Sequence, residues 1–216
     1  MTFSDRREAG RKLAEELTRY AGTNALVLAL PRGGVETGYE VAVALEAELD
    51  VIVTRKLGAP GNPEFGFGAI GPGNVRVLNE ETVRRLRLSE EQIEEVAERE
   101  GRELQRRLEE YRGERDLPEI EGRTVIVVDD GMATGGTALA GVQTVRAQDP
   151  DKLVLAVPVA PPDTVEKLRN EVDELICLHT PRAFMAVGQW YQRFDQTSDE
   201  QVVDLLEKAQ ESPKSE

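Results

Sequence analysis

A chain of 216 residues with 39% hydrophobic side chains can bury a full core in one α/β domain with an appendage, and nothing in it predicts a second independent domain. Its formal charge of -14 argues against a broad nucleic-acid or anionic-membrane surface, since such surfaces are dominated by Lys and Arg. The single cysteine, Cys177, excludes an intrachain disulfide framework or a cysteine zinc cluster. Arg6, Arg7 and Glu8 stand where an apolar signal core would, and no window approaches a membrane span, so a cytoplasmic protein is expected.

Asp5 followed by Glu8 has the form of a capping box and predicts a first helix running to about Tyr20. Residues 25–30 read as the first buried strand, residues 35–47 as a helix and residues 51–54 as a second strand. The Gly-Ala-Pro-Gly-Asn-Pro run at 58–63 holds too many breakers for regular structure, and short strands are expected on either side of 71–74. From Glu80 to Arg112 the sequence is helical and heavily charged. Glu95 with Arg99, Glu98 with Arg102 and Glu103 with Arg107 make a solvated face of i, i+4 pairs. Opposite them Ile93, Ala97, Leu104, Leu108 and Tyr111 form an apolar stripe that must pack on the body, a lid or a second subunit. Strands are predicted at 125–128, 153–157 and 174–178, helices at 137–147 and 162–170, and a frayed tail at 212–216. The alternation predicts an α/β fold with a central, mainly parallel five-stranded sheet flanked by helices.

The segment 125–139 carries the chemistry. Val125, Ile126, Val127 and Val128 form the continuous run of a parallel strand buried on both faces, and Asp129 and Asp130 follow at its end, where open α/β sheets bind ligands. Ionised carboxylates only accept hydrogen bonds, so a pair there suits vicinal sugar hydroxyls or a hydrated Mg²⁺. Beyond them Gly131, Gly135 and Gly136, with Thr134 and Thr137 at the mouth of a helix, let backbone N–H groups converge on a phosphate. A nucleoside triphosphate fits less well. Gly131, Gly136 and Thr137 match part of the Walker A spacing, but Thr137 stands where its lysine should be. A second anion site is predicted after the first strand, where Arg32 sits with Gly33 and Gly34 before a helix N-terminus. Gly33, Gly34 and Gly38 lack the dinucleotide-binding spacing.

The stretch from Asp129 to Thr137 resembles the phosphoribosyl-pyrophosphate (PRPP) motif of the type I phosphoribosyltransferases, and the resemblance extends over residues 25–178. It implies one domain over 1–216, with a core at about 25–178, a helical insertion at about 80–115, and a hood built from about 1–22 and 179–196. It implies that Asp129 and Asp130 hold the ribose hydroxyls directly or through Mg²⁺-bound water, one of them also taking a proton from the nucleophile. Ala133, Thr134, Gly135, Gly136 and Thr137 would bind the 5-phosphate. Arg32, Gly33, Gly34, Arg55 and Lys56 would face the pyrophosphate, with Asp129, Asp130 and Lys56 as the catalytic set. The 58–73 segment matches the flexible catalytic loop, with Glu64, Phe65 and Phe67 as candidate lid contacts, and the Pro31–Arg32 bond is expected to be cis. In the hood, Phe184, Trp190, Tyr191 and Phe194 offer planar surfaces for a heterocycle, and His179 a donor. The 6-oxopurine enzymes place a lysine near the end of the last core strand, where this chain has Leu178 and His179.

The activity so implied is Mg²⁺-dependent transfer of the 5-phosphoribosyl group of PRPP to a nitrogen nucleophile, a nucleobase or similar heterocycle, with release of pyrophosphate. A homodimer is the expected assembly. Two other classes stay open. A PRPP-binding regulator would keep the loops without the transfer, although this acidic chain has no appended basic module for nucleic acid. A phosphatase or receiver-like protein would also carry paired carboxylates, but would leave Arg32, Gly33 and Gly34 unexplained.

Overall fold

Strand and helix alternate because runs of β-branched and leucine side chains are separated by turns that lead into helices. In the computed structural model, which describes residues 1–73, 75–113, 115 and 118–211 apart from the Glu64 side chain, the order begins α1 (Arg6–Glu16), a 3₁₀ turn (Thr18–Tyr20), β1 (Leu26–Ala29), α2 (Gly33–Leu45) and β2 (Glu48–Val51). Next come β3 (Arg55–Ala59), β4 (Asn62–Gly71), β5 (Val75–Leu78), α3 (Glu80–Leu86) and α4 (Glu90–Arg112). The chain continues through β6 (Thr124–Val128), α5 (Gly136–Arg146), β7 (Lys152–Val159), α6 (Pro162–Arg169) and β8 (Glu174–His179), and closes with a 3₁₀ turn (Val187–Trp190) and α7 (Asp199–Glu211).

The main sheet has the order β2-β1-β6-β7-β8, and every neighbouring pair is parallel, as the alternation predicts. Its central strands β1, β6 and β7 are apolar apart from Thr124 and Lys152 at their starts, and successive side chains face opposite layers. Ile126, Val128, Val154 and Ala156 join the layer containing Leu13, Val41, Leu104 and Leu205. Val125, Val127, Leu153 and Leu155 join the other, with Val142, Val145 and Leu168. Strand β1 leads to β2 on one side, whereas its other neighbour is β6. That reversal opens a crevice at the carboxyl ends of β1 and β6.

Three predicted elements differ. The second strand is residues 48–51, not 51–54, because Leu49 and Val51 align with Val27 and Ala29; the Ile52 N–H adds one more bond to the Ala29 carbonyl before the chain departs. Arg55 and Lys56 therefore open a separate antiparallel sheet, β3-β4-β5, and do not end a parallel strand. The 58–63 run is consequently a hairpin and not an irregular loop. Gly61 turns it with φ 79°, and at Gly58 a side chain would collide with the Pro63 backbone, so glycine there permits the bulged pairing. The strands expected around 71–74 are β4 and β5, although Asn74 lies outside the described residues. The predicted tail at 212–216 also lies outside them.

The charged stretch 80–112 is two helices. Arg87 takes a left-handed conformation, and Ser89 with Gln92 makes a full capping box that restarts the chain as α4. Ile93, Val96, Leu104 and Tyr111 bury the stripe against the body, where the helix meets β3, β4 and α7. Of the expected pairs, Glu103 meets Arg107 at 3.0 Å, while Arg99 turns to Glu100. Helix α7 has no counterpart among the predicted elements. Ser198 and Gln201 cap it reciprocally, and Val202, Leu205 and Leu206 bury it against α2, α4 and β2.

Candidate functional site

The crevice is bounded by the ends of β1 and β6. The Leu30 N–H donates to the Val128 carbonyl at 2.8 Å, which joins the strands up to the point where their loops diverge. The Pro31–Arg32 bond is cis, and α2 begins immediately at Gly33. A side chain at Gly33 would collide with Asp130 Oδ2 and lie 2.8 Å from Arg6 Nε, while one at Gly34 would lie 2.9 Å from the Val128 carbonyl oxygen and 3.2 Å from Asp129 Oδ1. The glycine loop and the carboxylate pair thus form one surface, packed at a distance only backbone allows.

Each carboxylate has a distinct setting. Asp129 Oδ1 accepts the Asp130 N–H at 2.8 Å. Asp130 Oδ2 accepts from Arg6 Nε at 2.7 Å, and its backbone carbonyl accepts the Tyr191 hydroxyl at 2.5 Å. Burial raises the pKa of both acids. Asp129 is raised further by the charge of Asp130, whereas Arg6 pulls Asp130 back toward ionisation. Like charges set side by side out of water call for a cation, and two carboxylates plus ligand oxygens and water are a donor set Mg²⁺ accepts. Among the described residues no cluster of three or more His, Cys, Asp or Glu could hold a metal unaided.

Beyond the pair, Gly131 (φ 153°) turns the chain past Val159 and Val187, and Thr164 Oγ1 donates to the Ala133 carbonyl at 2.7 Å. Gly135, left-handed at φ 73°, packs on Thr164 and Leu168 and starts α5 without any side-chain cap. The first-turn N–H groups of α5 therefore point outward unclaimed by a side chain, with Thr134, Gly136 and Thr137 exposed around them. A cavity of about 570 Å³ opens here, lined by Thr134, Gly136 and Thr137 on one wall and Lys56, Gly66 and Asn79 on the other.

Asp129, Asp130, Gly33 and Gly34 are brought into contact, and the loop 133–137 follows directly. The basic residues are more scattered. Arg32 lies 3.6 Å from Asp199 at the head of α7. Arg55 is held by Glu100 of α4 at 2.7 Å, and Lys56 lines the cavity at the Thr134–Thr137 loop, which Arg32 does not line. The structure therefore groups Lys56 with the Thr134–Thr137 loop and Arg55 with a helix, not with Arg32, because both sit on β3 of the second sheet. His179 and Trp190 rings meet edge to face at 4.8 Å, and Phe184 stacks on Trp190 at 6.3 Å. Burial lowers the His179 pKa, and the buried Trp190 Nε1 has no hydrogen-bond partner. Val187, at the start of the 3₁₀ turn that carries Trp190, packs where a side chain at Gly131, the residue after Asp130, would be. Phe67 is fully buried in the core, and the Glu64 side chain lies outside the described residues. The sequence does not single out Arg6 for the site, and offers Tyr191 only as a planar hood surface; both bond Asp130 across more than 60 residues of chain.

An open parallel sheet with a carboxylate pair at its switch point, a glycine loop against that pair and an uncapped helix beyond is the arrangement with which α/β proteins receive anionic ligands at the carboxyl ends of their strands. The chain belongs to the phosphoribosyl transferase domain family, whose model matches residues 5–191. Over 207 residues it is 50% identical to "Putative phosphoribosyl transferase Rv0571c" of Mycobacterium tuberculosis (strain ATCC 25618 / H37Rv), and equally to "Putative phosphoribosyl transferase MT0597" of strain CDC 1551 / Oshkosh. The match covers 96% of this chain and 47% of each relative, so the chain spans about half the length of the curated relatives it matches. Among solved structures, TT1426 from Thermus thermophilus is similar with a TM-score of 0.88 and 43% identity, covering 95% of this chain and 98% of that one. No helix among the described residues is long and apolar enough to cross a membrane.

Proposed function

We propose that the protein is a Mg²⁺-dependent phosphoribosyltransferase that moves the 5-phosphoribosyl group of PRPP to a nitrogen nucleophile, a nucleobase or similar heterocycle, and releases pyrophosphate. The observation that carries the reading is the contact surface of Gly33 and Gly34 with Asp129 and Asp130, next to the uncapped start of α5. One ligand with hydroxyls between two phosphate groups matches that sequence of acceptor and donor surfaces.

In this reading Asp129 and Asp130 accept the ribose hydroxyls or metal-bound water. The amides of residues 133–137 take the 5-phosphate, with Lys56 as the cation on the facing wall. The Gly33 and Gly34 amides and Arg32 receive the pyrophosphate. Mg²⁺, which Asp129 and Asp130 would hold through water together with the ligand's oxygens, would when bound neutralise charge on the departing pyrophosphate. The residues mainly orient and stabilise charge while C1 becomes oxocarbenium-like, and the hood formed by the N-terminus and residues 179–196 keeps water from that centre. His179, Phe184 and Trp190 form its aromatic part and offer the acceptor a stacking surface. The cellular setting is the cytoplasm and the assembly a homodimer.

Titration calorimetry with PRPP and Mg²⁺, followed by a screen of nucleobases and related heterocycles for pyrophosphate release, tests this. PRPP is expected to bind in the micromolar range, more tightly with Mg²⁺, and Asp129→Asn with Asp130→Asn to abolish binding. An unchanged affinity in that double variant overturns the sugar-hydroxyl assignment. PRPP binding with no acceptor raising release above slow hydrolysis, and with altered affinity for a macromolecular partner, would instead favour a PRPP-responsive regulator.

A further inference from the structure

Two arginines are buried among the described residues, Arg6 and Arg112. Arg112 ties α4 to the sheet through Asp50 at 3.0 Å and the Val51 carbonyl at 2.7 Å, with no bond to the carboxylate pair. Arg6 differs because its principal partner is a carboxylate of the site. It is 7% exposed and fixed on every side. Nε donates to Asp130 Oδ2 at 2.7 Å and Nη1 to the Asp195 carbonyl at 2.7 Å. The Phe194 ring lies 3.9 Å from the guanidinium carbon. Glu36 Oε1, itself held by the Thr197 hydroxyl at 2.6 Å, stands 3.6 Å from Nη1.

The packing that delivers Arg6 to this place is specific. At Gly10 a side chain would lie 2.6 Å from the Thr37 carbonyl oxygen, so glycine lets α1 close onto α2 and carries Arg6 to the head of α2 beside Gly33. A flexible arginine loses most of its rotamer freedom in such a site. The arrangement makes sense if the carboxylate it grips must keep one orientation. An ordinary surface ion pair needs neither the burial nor the four contacts.

We propose that Arg6 is a positioning residue for Asp130. It pins Oδ2 against the Gly33 backbone and so leaves Oδ1 as the oxygen presented to the ribose hydroxyls. Residues 194–197 complete the clamp. Phe194 covers one face of the guanidinium, the Asp195 carbonyl takes a second N–H, and Thr197 restrains Glu36. A lysine would keep the charge but lose the planar fork that meets Asp130 and Asp195 together. The inference rests on the PRPP reading of the site.

A double-mutant cycle on the full chain tests it, with PRPP and Mg²⁺ affinity measured by titration calorimetry for the parent, Arg6→Gln, Asp130→Asn and the double variant. Arg6→Gln is expected to weaken PRPP binding by roughly tenfold or more, yet to weaken it by less than about twofold once Asp130 is Asn, since a positioning residue matters only while its carboxylate is present. Arg6→Lys should recover part of the loss. Additive effects, with equal losses in both backgrounds, overturn the inference and leave the PRPP reading standing, because a merely structural arginine would act whatever occupies position 130. Failure of the parent to bind PRPP overturns the reading and the inference together. If Arg6→Gln does not fold, Phe194→Leu provides the same cycle: a loss of a few fold that vanishes in the Asp130→Asn background supports the clamp, and an additive loss overturns it.

Discussion

The carboxyl ends of β1 and β6 and the β3–β5 ribbon are both rich in glycine, and they use it for opposite purposes. At the strand ends the glycines abut charged groups: Gly33 and Gly34 press against Asp130 and Asp129, and Gly135 starts an uncapped helix. In the ribbon Gly58 and Gly68 abut the chain's own backbone. Gly58 makes room for Pro63, and Gly68 lies where a side chain would be 2.5 Å from the Val77 carbonyl oxygen. Glycine content alone therefore does not mark a ligand loop. What marks one is glycine next to charged side chains and an uncapped helix start, where close backbone approach serves a guest and not a neighbouring strand.

The sharpest way to break the comparison is to add one methyl group to each region. Gly33→Ala drives a Cβ into Asp130 Oδ2 and should weaken PRPP binding by roughly 100-fold, the scale expected when reacting groups shift by about 1 Å. Gly61→Ala adds its methyl to open space at a positive φ. Its expected cost is about 1 kcal/mol of stability, read by urea unfolding, with PRPP affinity unchanged within about twofold. Equal binding losses from the two substitutions would erase the distinction.

The strand ends were legible in the sequence because their signals are local. A continuous Val-Ile-Val-Val run, two acids and a Gly/Thr-rich turn lie within one stretch, and the parallel pairing of the five strands follows from the βα alternation. Of the ribbon only the strands flanking 71–74 were legible; the β3–β4 hairpin was not, because its pairing is set by contacts between residues whose local preferences are those of turns. Gly58 opposes Gly66, and Leu57 opposes Gly68. Strand β2 was displaced by three residues for a related reason: Val51, Ile52 and Val53 are all buried, and only the register with β1 decides which of them belong to the sheet. Arg6 was invisible for the most general reason, since its meaning depends on a partner 124 residues away.

The second prediction concerns the cost of the carboxylate pair. Burial and the neighbouring Asp130 charge hold the folded pKa of Asp129 above its ordinary value, so the fold favours the protonated acid. Stability from this group is then present at low pH and lost as pH rises through the folded pKa, the reverse of a salt-bridged carboxylate. Asp129→Asn should accordingly raise Tm at pH 7.5 while removing PRPP binding, and the gain should shrink on acidification as the parent's own acid becomes neutral. Ligand binding needs the ionised form, so the parent's PRPP affinity should begin to fall above the usual carboxylate range. Scanning calorimetry and PRPP titrations across pH 4–8 check both signs. A lower Tm for Asp129→Asn at pH 7.5 would mean that the pair stabilises the fold, and the strand ends would then resemble the ribbon in being built for themselves.

The smallest effect belongs to the ribbon's link with α4. Arg55 Nη2 lies 2.7 Å from Glu100, but its side chain is 30% exposed, and water competes for both partners. Pairs in this setting contribute roughly 0.2–1 kcal/mol, far less than the contact distance suggests. A double-mutant cycle with Arg55→Ala and Glu100→Ala, followed by urea unfolding, should return a coupling within that range, with PRPP affinity unchanged within about twofold. Because the resemblance to type I phosphoribosyltransferases puts Arg55 at the pyrophosphate, the affinity measurement is the more informative half. A loss of tenfold or more on Arg55→Ala, matched by no loss on Glu100→Ala, would mean that Arg55 leaves Glu100 when ligand arrives and that the ribbon takes part in binding. An unchanged affinity keeps β3–β5 as a wall whose contribution to the site comes through Lys56.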